Sequence, residues 1–256
     1  MNMIKIHKTA KLPLDICKGS YKDRISLAKE LNCKFFDEIN KKFTQKTISY
    51  DLFEKILKKS TPAEINVKVN PYNKKGGTTC LYLDDIKNCI TEHLIYIEKR
   101  PFMDGLGILD TGISLHETMH YFTSIANPKH IARMIKMFET GTLEKTEKFY
   151  KEILYTRNKF DKKTTQQTLS EFLKQFTPEE QIDFLQNSRY RLLEEYHAYD
   201  EGYKYLDKIQ DSHPELICEK IYAREKEDYY FPEKIEIIKE KLKEIFTNHS
   251  NLNNNK

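Results

Sequence analysis

One stretch of five residues, 116–120, constrains this chain more than any other, because it reads His-Glu-Thr-Met-His. On an α-helix, residues four positions apart lie one above the other, so His116 and His120 face the same way and can bind one metal ion. Glu117 lies one position round the helix, within reach of a water molecule on that metal. The pattern therefore predicts a helix with two imidazole ligands and a carboxylate that acts as general base.

The flanking sequence predicts that this helix covers about residues 111–126. Asp110 and Thr111 are residue types that cap helix starts, and Pro128 disfavours helical geometry just beyond the end. Apolar residues recur at spacings of four, three and four and predict a buried face: Leu115, Met119, Phe122 and Ala126. The two histidines and Thr123 lie on a different face, which leaves them available for a site.

A metal bound by two histidines needs a third protein ligand, and Glu195 is one candidate. It lies in the segment Leu193–Gly202, which has helical character. Ala198 and Gly202 fall three and seven positions after Glu195, on one face, and their small size allows a close approach to the first helix. Other ligands in the segment stay open: Glu194, His197, Asp200 and Glu201. The plain alternative is a solvated, charged helix face, to which Glu194 and Glu201 would belong.

Together the two segments resemble the zinc-binding helices of the gluzincin metallopeptidases, which belong to the zincin clan. In that family, a Glu on the second helix is followed by an aromatic residue, any residue and Ala. Residues 195–198 fit this order, and Tyr199 stands where Asp is commoner. The resemblance covers only these two helices. It implies a zincin-like fold, Zn²⁺ as cofactor and Glu195 as the third ligand.

The same resemblance implies hydrolysis of a peptide bond in a peptide or protein substrate. Glu117 would take a proton from the attacking water, while zinc polarises the carbonyl group. A further donor usually stabilises the oxyanion. The candidates for that donor are Tyr199, Tyr203 and Tyr222.

Other sources of a third ligand fit less well. Thr123 and Ala126 stand where metzincins have Gly and His. His130 lies beyond the break at Pro128. Residues 141–144 read Gly-Thr-Leu-Glu, which is similar to the Gly-Thr-x-Asp of the aspartate-ligand zincins, but with Glu in place of Asp. Cys80 and Cys89 do not lie in the motif of the peptide deformylases, whose upstream ligand is a cysteine.

Periodicity along the rest of the chain predicts a mainly α fold with a small β-sheet, of the α+β class, in one domain over residues 1–246. The predicted order is N-terminal helices at about 14–60, a small sheet at about 64–84, a helix at 84–99, the metal helix at about 111–126 and a helical insertion at about 130–187. The second metal helix follows at about 188–207, and a disordered tail at 247–256. The insertion ends in a helix at Pro178–Leu185, for which Pro-Glu-Glu is a typical start, and a further helix is predicted at Pro214–Lys226.

Two strands are predicted ahead of the metal helix, at Ile65–Val69 and Thr78–Leu83. This order is the one found in zincins, in which an edge strand pairs with an extended substrate. The alternative is an ordinary hairpin packed on helices. Asp84–Lys99 is predicted to be a helix that carries His93 on its buried face.

Composition excludes several classes of function. The 43 basic and 39 acidic residues give a net charge of only +4, which argues against binding to nucleic acid. The sequence has no apolar run of membrane-spanning length. Five widely spaced cysteines indicate reduced thiols and a cytoplasmic location. Oligomeric state is left open, as is a partner for the basic stretch 145–163.

A second class of function fits the same motif. A zinc-binding effector or toxin without catalytic activity would also need metal ligands. Its site would be structural, with four protein ligands and no open coordination position.

Overall fold

The computed structural model describes residues 20–42, 47–60, 66–72, 77–84, 89–98, 105–107, 111–126, 136, 140–150, 160–209 and 229–254. Helices account for most of these residues, which confirms the prediction of a mainly α chain with a small sheet. The helices are α1 (Tyr21–Asn40), α2 (Tyr50–Lys59), α3 (Thr111–Ala126), α4 (Thr142–Phe149), α5 (Lys162–Leu173), α6 (Pro178–Ile209) and α7 (Phe231–Asn254). The strands are β1 (Thr47–Ser49), β2 (Asn66–Tyr72), β3 (Gly77–Asp84), β4 (Cys89–Glu98) and β5 (Gly105–Gly107). None of the described helices is long and apolar enough to span a membrane.

Backbone contacts divide the chain into two units. The first unit comprises residues 1–132 and 197–223, and the second comprises 133–196 and 224–256. The division falls inside α6, which is one continuous helix. The single domain over 1–246 stays a prediction.

The first unit contains a three-stranded sheet with β4 in the middle. β4 runs parallel to β2 and antiparallel to β3, with Val67 opposite His93 on one side and Leu81 opposite His93 on the other. A separate antiparallel pair joins β1 to β5, with Ile48 opposite Leu106. Both predicted strands are therefore present, but they flank a third strand and do not form a hairpin with each other.

The predicted helix at Asp84–Lys99 is wrong, because residues 89–98 form strand β4. This segment reads Cys-Ile-Thr-Glu-His-Leu-Ile-Tyr-Ile-Glu, and it is rich in β-branched residues. Its apolar residues at 90, 94, 95 and 97 do not alternate strictly with polar ones, so the strand period is not visible in this segment. A short apolar run of this kind satisfies helical and strand spacing equally, and pairing with β2 and β3 decides between them.

The helices of the first unit pack around an aromatic core. Phe35 and Phe36 of α1 and Phe53 of α2 are buried and meet with their rings about perpendicular. Phe122 of α3 joins them, with its ring centroid 6.3 Å from that of Phe35. α3 also packs against β3 and β4. The helix with the H-E-x-x-H motif is thus enclosed by α1 on one side and the sheet on another.

The second unit has an aromatic cluster of its own. Phe149 of α4 stacks on Phe172 of α5 at 4.5 Å, and both rings contact Phe184 of α6. Thr177 caps the start of α6: its side chain accepts from the amide of Glu180, whose carboxylate accepts from the Thr177 amide. This reciprocal capping box is the helix start that the Pro-Glu-Glu sequence predicts.

Two predicted helix ends in this region are wrong. The prediction separates a helix at Pro178–Leu185 from one at 188–207, but α6 is continuous to Ile209. The predicted disordered tail at 247–256 is helical to Asn254, since α7 continues through it. Residues 186–188 and 247–254, where the helices were predicted to end, contain neither Gly nor Pro. Polar residues alone therefore do not end these helices. The predicted helix at Pro214–Lys226 lies outside the described residues.

Lys234, in the first turn of α7, is only 2 % exposed. Burial lowers the pKa of its ammonium group to about 8, and the charge of Glu233 only partly opposes this. The helix N-terminus also disfavours a positive charge. Below pH 8 the folded protein therefore holds a charge that the unfolded chain solvates better.

We expect Lys234→Met to stabilise the protein at pH 7 by up to about 3 kcal/mol, since burial lowers the pKa of the lysine ammonium from 10.5 to about 8. The wild type gains stability as pH rises from 8 towards 10.5, because the unfolded chain then binds more protons. The advantage of the variant should shrink over the same range. Urea unfolding at pH 7 and pH 10 measures this. Lys243→Met, at an exposed position of the same helix, is the control and should change stability by less than about 0.5 kcal/mol.

Candidate metal centre

Helix α3 has the predicted bounds and places both histidines on one face. His116 is 9 % exposed, and His120 is half-buried. Their Nε2 atoms are 3.0 Å apart. Two nitrogens bound to one tetrahedral zinc at about 2.0–2.1 Å would be about 3.3 Å apart, so the two side chains are close to a ligating arrangement.

A buried polar contact with α1 fixes the middle of the motif. The Thr118 hydroxyl donates to Oδ1 of Asn32 at 2.7 Å, and the Asn32 amide donates to the carbonyl of Leu115 at 3.3 Å. Both side chains are fully buried. Because unsatisfied polar groups are costly in the core, this contact sets the position of α3 along α1.

Thr118→Val should destabilise the protein by about 1–3 kcal/mol, because it leaves a buried acceptor on Asn32 without its donor. Thr123→Val is a matched control on the same helix. The Thr123 side chain is also buried, at 1 % exposed, but its hydroxyl has no hydrogen-bond partner in the part of the chain that the structure describes. The control should leave stability unchanged or raise it. Urea denaturation of both variants tests this; equal losses would contradict the assigned contact.

Helix α6 brings its own residues to the motif. The ring of Tyr199 packs edge-on against the ring of His116, with centroids 4.5 Å apart, inside the first unit. Glu195 lies one helical turn before Tyr199 on the same continuous helix. One ligand atom from each of His116, His120 and Glu195 lies within 4.8 Å of the other two. Within the described residues, this is the group of three that could hold a metal ion.

Two of the other candidate ligands on α6, Asp200 and Glu201, are engaged in ion pairs. Glu201 forms an ion pair with Lys29, with 2.8 Å between Oε1 and Nζ. Asp200 forms one with Lys204, with 2.7 Å between Oδ2 and Nζ. Burial, followed by the charge of Lys29, lowers the pKa of His197 to about 4. Glu194 and Glu201 are each 8 % exposed. The alternative of a solvated charged face is therefore wrong for both glutamates.

The remaining candidates fall outside the metal group. Glu144, from the Gly-Thr-Leu-Glu pattern, is exposed in the first turn of α4. The preceding Gly141 has a φ of +70°, so the backbone turn accounts for this glycine. His130 lies outside the described residues, as do the side chains of Cys80 and Cys89.

The catalytic candidates are placed unevenly. Glu117 is 6 % exposed, beside His116 on α3. Tyr199 is buried against His116, and Tyr203 is half-buried one turn further along α6. Tyr222 lies outside the described residues. Of the two tyrosines that the structure describes, Tyr199 is the one that packs against a histidine of the motif.

The sequence reasoning missed a charged network around Glu195 within the second unit. Arg191, one turn earlier on α6, pairs with Glu147 of α4, and its guanidinium lies 4.1 Å from the ring centre of Tyr150. Burial raises the pKa of Tyr150 well above its ordinary value, and the charge of Glu195 adds to this. Spacing of Arg191 and Glu195 by four residues was the available signal. This spacing does not indicate that Glu147 and Tyr150 contact Arg191.

The donor set fits zinc. Two imidazole nitrogens and one carboxylate oxygen form a ligand set known from catalytic zinc sites, with a fourth position for water or substrate. The short distance between the two Nε2 atoms points the same way. Comparisons of the chain with protein-family models, with curated proteins and with solved structures found no match.

Proposed function

We propose that the protein is a zinc-dependent metallopeptidase in which His116, His120 and Glu195 hold Zn²⁺ and Glu117 is the general base. One observation carries the proposal: the ligand atoms of these three residues lie within 4.8 Å of one another. Glu195 is 75 positions from His120 in the sequence, so the fold has to bring them together.

The chain supplies a base and an enclosed setting for the reaction. Bound Zn²⁺ supplies Lewis acidity, which polarises a peptide carbonyl and acidifies water. Glu117 accepts a proton from the water as the water oxygen forms a bond to the carbonyl carbon. The carboxyl group then gives that proton to the leaving amine as the C–N bond breaks. Tyr199, next to His116, is our first candidate for the oxyanion donor.

The ligand assignment is tested by metal content. His116→Ala and Glu195→Ala should each lose zinc, because two remaining ligands bind a divalent ion weakly. Glu194→Gln is the matched control: Glu194 is the neighbouring buried carboxylate, and this variant should keep near-stoichiometric zinc. Elemental analysis after purification without chelators measures all three. Loss in Glu194→Gln with retention in Glu195→Ala would move the ligand to Glu194.

The catalytic assignment needs a variant that keeps the metal. Glu117→Gln should retain zinc but lower peptide hydrolysis by at least about 100-fold, since the amide cannot accept the proton. A general peptide-hydrolysis assay with and without chelator measures this. Full activity in Glu117→Gln would remove the role of that residue. Zinc in the wild type without hydrolysis of any peptide would favour a non-catalytic zinc-binding effector.

A further inference from the structure

Arg191 lies near two carboxylates, those of Glu195 and Glu147. It is four residues before Glu195 on α6, so the two side chains project from the same face of the helix. Its hydrogen bond goes to Glu147, on α4. Burial lowers the pKa of Arg191, but the charges of Glu147, Tyr150 and Glu195 and the Glu147 hydrogen bond outweigh this, so the pKa is raised.

Two contacts hold the guanidinium in position. The first is the ion pair with Glu147, and both of its side chains are at least three-quarters buried. The second is the ring of Tyr150, whose centre lies 4.1 Å from the guanidinium carbon. Glu147 and Tyr150 are three residues apart, one turn of chain, so α4 presents both partners together. An arginine bound by a carboxylate and an aromatic face has little freedom to turn towards a third group.

This restraint matters because a guanidinium that is not held would compete with a metal. An arginine four residues from a glutamate can form a salt bridge with it along the helix. Such a bridge would occupy the carboxylate that zinc needs, and zinc binding would have to break it.

We propose that Glu147 and Tyr150 restrain Arg191 so that its guanidinium does not pair with Glu195 and compete with the metal. Arg191 and Glu147 are therefore positioning residues for the third ligand. This inference rests on the proposed zinc site, but not on peptide hydrolysis. In this role Glu147 holds Arg191 and does not bind the metal.

The test measures zinc affinity in a set of isosteric variants, by competition with a chromophoric chelator. Glu147→Gln releases Arg191 and should weaken zinc binding by about 10-fold or more, as is typical for residues that support a metal ligand. Adding Arg191→Gln removes the competitor, so the double variant should bind zinc within about threefold of wild type. Glu144→Gln is the control on the same helix, at an exposed position, and should not change affinity.

The double variant separates this role from a purely structural one. If the ion pair only braces α4 against α6, removing both partners should weaken zinc binding as much as removing one, and the proposal would be overturned. Unchanged affinity in Glu147→Gln would overturn it as well. If Glu147→Gln does not fold, Arg191→Gln alone decides: retained or tighter zinc binding supports the proposal, and loss contradicts it. Absence of zinc from the wild type would instead contradict the proposed function.

Discussion

Helix α3 is buried and also presents His116 and His120, the two proposed metal ligands, on one face, and the rest of the described site depends on how it does both. Its apolar face joins the aromatic core of α1 and α2, where Phe122 lies 6.3 Å from Phe35. Its polar groups are fixed by the contact between Thr118 and Asn32. Close packing leaves the helix little room to rotate, so the two histidines keep one orientation.

Charge on α6 is managed residue by residue. Glu201 is neutralised by Lys29, and Asp200 by Lys204, so these carboxylates are occupied. Glu195 faces a different situation, since the nearby guanidinium of Arg191 is bound to Glu147. This difference between neighbouring acidic residues is an electrostatic one, and residue type does not reveal it.

The strands show where sequence patterns are ambiguous. The start of α6 at Pro178 and the bounds of α3 followed from capping residues and a clear helical period, which are local signals. The segment that forms β4 was predicted as a helix, because its apolar residues do not alternate strictly with polar ones. Its two partners are distant in sequence: Val67 and Leu81 both face His93. Only the pairing of β4 with β2 and β3 shows that this segment is a strand.

The sequence by itself determined that His116 and His120 lie on one face of a helix, because residues four positions apart lie one above the other on any α-helix. It also ranked Glu195 first among the acidic residues of α6. The tertiary structure decided that Tyr199 of α6 packs against His116. It also supplied the tie between Arg191 and Glu147, which lie 44 residues apart. Contacts between distant segments carry no local signal, and so they appear only once the chain is folded.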